Sequence, residues 1–177
     1  MVDLFIERLP GRKILEVGCG PGFEAAQFLT SGLEYFGCDA SSAMLEIARA
    51  RNPLAQFQQV SIEELYQLEL DGPFDGIWAN AVLLHIAKSK MLRALHLMRQ
   101  LLVPGGLLFI SLQEGEGEGL RAGTSWGDVS VERYFALWSQ SEFLETAYFA
   151  EFSARDLHVT VEPNAGKRWL NFFLQKK

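Results

Sequence analysis

The chain has 177 residues, nearly half of them apolar, enough for one domain with a substantial core over residues 1–177. No apolar run approaches the ~18 residues of a membrane span, and the N-terminus (Met1-Val2-Asp3-Leu4-Phe5-Ile6-Glu7-Arg8) has acids where a signal peptide wants a basic start, so a cytoplasmic location without membrane attachment is expected. The net charge of −6 argues against a nucleic-acid backbone as the main substrate, and Cys19 and Cys38, the only cysteines, make no metal site by themselves.

Apolar runs alternate with amphipathic stretches, the pattern of parallel strands joined by crossover helices. Residues 13–17 read as the first strand, followed by a helix over 23–30 that Ser31-Gly32 stops. Residues 35–38 are the second strand, and Ser41 or Ser42 caps a helix that ends near Asn52-Pro53. The third strand is 56–60, and the fourth, 74–79, is introduced by the turn residues Asp71-Gly72-Pro73. The clearest helix covers 88–102, with an apolar stripe through Leu92, Leu95, Met98 and Leu102; Pro104-Gly105-Gly106 ends it.

Residues 107–112 are apolar on both faces, as a central parallel strand would be. The glycines in Gln113-Glu114-Gly115-Glu116-Gly117-Glu118-Gly119 recur at every second position and exclude a helix or a strand interior, so a loop is expected to about Ser130. Ser139-Gln140-Ser141-Glu142 is a capping box that opens a helix through about Phe149. Residues 157–161 and 168–174, joined by a turn at Pro163-Asn164-Ala165-Gly166, close the chain as an antiparallel pair.

The stretch Ile14-Leu15-Glu16-Val17-Gly18-Cys19-Gly20-Pro21-Gly22 carries the strongest functional signal. Glycines after a strand let the backbone turn sharply and approach a ligand, and an acid about twenty residues later, here Asp39, takes the hydroxyls of a ribose. A dinucleotide site wants a third small residue where this chain has Phe23, and Glu16 would repel a pyrophosphate. No Walker loop occurs. A carboxylate at Glu16 suits a ligand with a positive group, which leaves a molecule with adenosine, no phosphate and an amino-acid end: S-adenosylmethionine.

The chain resembles small bacterial class I S-adenosylmethionine-dependent methyltransferases, in the branch of the quinone-biosynthesis and tellurite-resistance enzymes. The likeness rests on E-V-G-C-G-P-G at 16–22, C-D-A-S-S-A-M-L at 38–45, F-D-G-I-W-A-N at 74–80, L-L-H at 83–85 and L-V-P-G-G-L-L at 102–108, in the family's order and spacing. It implies an α/β, Rossmann-like, doubly wound domain with a seven-stranded, mostly parallel sheet of order 3-2-1-4-5-7-6, strand seven reversed.

In such a sheet the ligand binds at the carboxyl ends of the strands where the order reverses, which is where Glu16, Gly18, Cys19, Gly20, Gly22, Asp39, Ser61, Ile62 and Asn80 fall. Glu16 would orient the methionyl ammonium, or cap the following helix; Asp39 would hold the ribose, or cap the helix after it. By resemblance, Ala40 and Met44 line the adenine pocket. Alignment with the family places Ser61 where an aspartate usually holds the adenine amino group, and Ile62 beside it, so Ser61→Asp is expected to tighten binding.

Methyl transfer asks the protein mainly to align reactants and exclude water; a hydroxyl or amine acceptor also calls for a base, and His85, at the family's L-H position, is the candidate. His96 and His158 receive no role. The Glu-Gly run is either a flexible solvated loop or a cover for the acceptor, and Trp126, Tyr134, Phe135 and Trp138 either line an apolar pocket or pack as core. Relatives carry a similar run followed by R-Y/F-F, matched here by Arg133-Tyr134-Phe135, which implies a shared role near the acceptor. Many relatives have a longer N-terminal segment over the cofactor; with about a dozen residues before the first strand, a more open site, or one covered by the Glu114 loop or another subunit, is expected. The expected function is methyl transfer to a small-molecule acceptor; the alternative is a non-catalytic S-adenosylmethionine or S-adenosylhomocysteine sensor or partner subunit. The acceptor and the oligomeric state are not legible.

Overall fold

The computed structural model describes residues 1–68, 72–122, 132–163 and 165–177. In chain order the elements are α1 (Val2–Arg8), β1 (Lys13–Val17), α2 (Ala25–Thr30), β2 (Glu34–Asp39), α3 (Ser42–Arg51), β3 (Gln56–Gln59), β4 (Phe74–Asn80), α4 (Lys88–Leu101), β5 (Leu102–Gln113), β6 (Glu118–Ala122), β7 (Glu132–Ala136), α5 (Gln140–Phe149), β8 (Phe152–Val161) and β9 (Arg168–Lys176). Short 3-10 turns cover Ile62–Gln67 and Leu83–His85.

The main sheet runs β3-β2-β1-β4-β5-β9-β8, with β1 to β5 parallel and β9 antiparallel to both its neighbours. Set the β6–β7 hairpin aside and this is the order expected from the sequence. Helices from the crossovers cover both faces. Leu15, Val17, Met91, Leu95, Met98 and Phe143 are buried in the core on one side. Phe5, Ile14, Phe28, Tyr35, Trp78 and Phe109 form the core on the other, where Trp78 stacks on Phe109 at 3.8 Å. Successive residues of β1 thus face opposite cores, as the period of a strand requires. Among the described residues no helix is long and apolar enough to cross a membrane.

Several element boundaries depart from expectation. The helix expected from residue 23 begins at Ala25, because 21–24 form turns that leave Phe23 exposed beneath the Arg51 guanidinium. β5 starts at Leu102 instead of 107: α4 stops at Leu101, and Pro104-Gly105-Gly106, expected to end the helix, lies inside the strand at an irregularity where the pairing with β4 shifts between Phe74 and Gly76. No sequence signal points to α1. It fits because β4 carries glycine at 76: a Cβ there would lie 2.3 Å from Leu9 Cδ2 and 2.8 Å from Phe5 Cζ.

The loop expected from residue 113 is corrected most. Glu118–Ala122 pairs antiparallel with Glu132–Ala136 as a separate two-stranded sheet. The run leading into it is held by backbone bonds, with Gly115 N–H donating to the Trp138 carbonyl at 3.1 Å and Leu137 N–H to that of Gly117 at 2.9 Å. The glycines allow this path: Gly117 has φ 77°, and a Cβ at Gly115 would lie 2.7 Å from Leu137 Cδ1. Asp71, Trp126, the rest of the expected loop over 123–130, and Asn164 lie outside the described residues.

Candidate functional site

The turn after β1 is tied to the end of β2. The N–H groups of Gly18 and Cys19 both donate to the Cys38 carbonyl, at 2.8 and 3.0 Å. One Asp39 oxygen accepts from Gly20 N–H at 2.9 Å and the other from Ser41 N–H at 2.8 Å. Asp39 therefore braces the glycine turn against the start of α3, and each oxygen keeps a second lone pair for a ligand. Ser41 itself caps α3, accepting from Met44 N–H at 3.3 Å. Buried Asn52, at the other end of α3, donates to the Gly22 carbonyl at 2.8 Å, so the turn is held by the end of β2 on one side and by the end of α3 on the other.

Gly18 has φ 70°, and a Cβ there would lie 2.1 Å from Val82 Cγ2. Only glycine satisfies both the backbone and the approach of the segment after β4. Gly20 and Gly22 also have positive φ, at 51° and 70°.

A cavity of about 410 Å³ opens at the carboxyl ends of β1 to β4. Of the residues expected at the cofactor, Gly18, Asp39, Ala40, Ser61 and Ile62 line it, and so does His85. The sequence did not single out Val17, Val60, Glu63, Val82 and Ile86, which complete the wall; their signal was only their place just before or after strand ends. Gly20, Gly22 and Cys19 belong to the turn beside the cavity and are not in its wall. Met44 is half-buried and also outside the wall. Asn80 is exposed at the end of β4 and donates to Glu24 Oε1 at 3.1 Å. Ser61 donates its hydroxyl proton to Glu64 Oε2 at 2.7 Å. A carboxylate introduced at position 61 would face Glu64, so the tightening expected of Ser61→Asp does not follow from this geometry.

Glu16 is not in the cavity wall either. Its side chain points to the opposite core, 2% exposed, and accepts the Tyr35 hydroxyl at 2.5 Å. β2 opposes it with glycine: Gly37 pairs with Glu16, and a Cβ there would lie 2.7 Å from the Tyr35 oxygen. Burial raises the Glu16 pKa to about 8 against the pull of the Tyr35 hydrogen bond, and the charges of Glu24 and Asp39 push it the same way. Tyr35 is raised as well, chiefly by burial and then by Glu16. Burial also pushes the Cys38 thiol up to about 12 and Cys19 higher still, so both remain thiols near neutral pH.

His85 ends the 3-10 turn after β4, and its Nδ1 lies 2.8 Å from the Tyr134 carbonyl of β7. A carbonyl only accepts, so Nδ1 carries the proton and the neutral ring keeps a bare Nε2. Phe135 packs edge-on against the ring, with centroids 4.8 Å apart. A backbone carbonyl leaves no mark in a sequence, which is why this partner could not be foreseen. Among the described residues no group of three or more His, Cys, Asp or Glu side chains is placed to hold a metal ion.

An open, doubly wound α/β sheet with a glycine turn and a cavity at its switch point, between β1 and β4, is the arrangement in which this fold class takes its ligands. Residues 14–106, just over half of the chain, match the family model described as a methyltransferase domain, and the chain belongs to that family. It is 34% identical over 116 residues to a ubiquinone biosynthesis O-methyltransferase of Pasteurella multocida, a match that covers 58% of this chain and 47% of that protein. The chain spans about half the length of the curated relatives it matches.

Solved structures share the fold. A Methanosarcina mazei S-adenosylmethionine-dependent methyltransferase superposes with a TM-score of 0.82 at 18% identity, covering 98% of this chain and 96% of that one. A Burkholderia thailandensis 1,6-didemethyltoxoflavin-N1-methyltransferase, solved with that compound and S-adenosylhomocysteine, superposes with a TM-score of 0.77 at 23% identity, covering 98% and 74%.

Proposed function

We propose that the chain binds S-adenosylmethionine at the cavity beside the Gly18–Gly22 turn and transfers its methyl group to a small-molecule acceptor with a hydroxyl or N–H nucleophile. The observation that carries this reading is the convergence of Gly18, Asp39, Ala40, Ser61 and Ile62 on one cavity at the switch point. The residues suit that ligand. Val17, Val60, Ile62 and Ile86 offer apolar walls to a flat base, and Asp39 keeps lone pairs for a ribose diol. Glu24 and Asp39 set an acidic field around the turn, favourable to a cationic ligand and hostile to a pyrophosphate.

Bound there, the ligand supplies a methyl group activated on a sulfonium, whose carbon–sulfur bond breaks with the electron pair going to sulfur as the acceptor's lone pair bonds to carbon. The protein's part is to hold, orient and deprotonate. Asp39 and the turn fix the nucleoside end, and the apolar wall keeps water from the reacting centre. His85 Nε2 takes the proton that the acceptor loses and passes it to solvent, while the Tyr134 carbonyl keeps the ring in the competent tautomer.

Incubation with methyl-labelled S-adenosylmethionine and a metabolite extract tests the reading. A labelled low-mass product absent from a His85→Ala control is the expected result. Tight binding without any labelled product would instead favour a sensor or partner subunit.

A further inference from the structure

We infer that the β6–β7 hairpin is the positioning device for His85, and that Glu118 and Tyr134 are the residues through which it acts. The inference rests on His85 as the proton acceptor of the proposed reaction.

The hairpin grips the segment after β4 at two points three residues apart. At the first, the Tyr134 carbonyl of β7 takes the His85 Nδ1 proton at 2.8 Å. At the second, Glu118 Oε2 of β6 accepts from the backbone N–H of Lys88 at 2.7 Å. That N–H opens α4, whose own N-cap residue, Ala87, offers no side-chain acceptor, so the hairpin supplies the missing cap. A negative charge at a helix start is also favourable, and the Lys88 bond is the first cause of a Glu118 pKa below the ordinary carboxylate value.

The two grips are linked. Tyr134 pairs across the hairpin with Leu120, two residues from Glu118, which puts the side chains of Glu118 and Tyr134 on one face. There the Tyr134 hydroxyl is the second cause of the same lowering, and Glu118 in turn is the first cause of a raised Tyr134 pKa. Phe135 meanwhile packs on the His85 ring itself. The far side of Lys88 is held independently, its ammonium bonded to both Glu142 oxygens at 2.8 and 2.7 Å.

Every part of the clamp thus fixes one outcome: a ring with its proton on Nδ1 and its lone pair on Nε2. A histidine released into water favours the opposite tautomer, with Nε2 protonated and useless as a base. Glu118, which is not in the wall of the cavity at the strand ends, would control the base through Tyr134.

The tautomer can be read without knowing the acceptor. In protein labelled with 15N-histidine, well above the ordinary histidine pKa of about 6.5, multiple-bond 15N–1H spectra distinguish the two forms, and a His85→Gln sample assigns the signals against His96 and His158. His85 should be in the Nδ1–H form in the unaltered protein and move toward Nε2–H in Glu118→Ala. Glu118→Gln, which still accepts from Lys88 N–H, should restore Nδ1–H. Should Glu118→Ala not fold, Tyr134→Phe removes a single hydroxyl and should show the same shift to a smaller extent. An Nε2–H ring in the unaltered protein overturns the inference, as does a ring unmoved in a folded Glu118→Ala or Tyr134→Phe variant that is merely less stable. The measurement contains no methyl donor, so failure of the methyltransferase reading, seen in the labelling experiment, is a separate result.

Discussion

Glu16 shows how one side chain can be placed by a motif and still behave unlike its simplest reading. The sequence sets a carboxylate just before the glycine turn; the structure buries it in the far core against Tyr35. Its pKa is raised from 4.5 to about 8, with burial the main cause. The folded protein therefore binds a proton that the unfolded chain has released between those values, and stability from this group is present below 4.5 and lost as pH rises through 8. Glu16→Gln keeps an acceptor for Tyr35 without a charge. Denaturant unfolding should show this variant more stable than the parent at pH 8 by roughly 2–4 kcal/mol, since each tenfold change in proton affinity is worth about 1.4 kcal/mol. The difference should be small near pH 5. Equal slopes of stability against pH in the two proteins would rule out a buried, protonated Glu16.

Elements differ in how far they could be read. β1, β2, β4 and β5 were legible because strands buried on both faces are near-continuous apolar runs bounded by glycine, proline or acids. The α5 start was legible because its cap is local: Ser139 accepts from Glu142 N–H at 3.2 Å, while the Glu142 carboxylate turns to Lys88 instead of closing the box. α1 and the hairpin were not legible because their determinants are distant in sequence. α1 has only seven residues and depends on the room left by Gly76. The hairpin pairs strands from either side of 123–131, and its glycines, breakers by composition, enable its backbone path.

At the site the same division holds. Asp39, Ser61 and Ile62 line the cavity because strand ends place them there; Asn80 also ends a strand but its side chain turns to Glu24, and Met44, placed by resemblance, lies outside the wall. The contribution of α1 can be measured. Phe5 is fully buried and packs edge-on against Phe28, Trp78 and Phe109. Phe5→Ala should cost about 3–5 kcal/mol in chemical denaturation; a loss near zero would mean that α1 is not part of the folded core.

On the scale of the whole molecule, one sheet supports two devices on the segment between β4 and α4. Val82 packs closely on Gly18 at the turn after β1, and His85 with Lys88 meets the hairpin at the other end. The fold and the family do not choose the acceptor, since the same architecture hosts many chemistries. Everything proposed for the site depends on the cavity beside the glycine turn holding S-adenosylmethionine or its product through Asp39. Isothermal titration of S-adenosylhomocysteine into the protein, with nicotinamide adenine dinucleotide in parallel, decides this. One-site binding of S-adenosylhomocysteine is expected, with none of the dinucleotide, and affinity should fall about 10-fold or more in Asp39→Ala through the loss of charge-assisted hydrogen bonds. Binding of the dinucleotide alone, or S-adenosylhomocysteine binding unchanged in Asp39→Ala, would show that the cavity does not work this way.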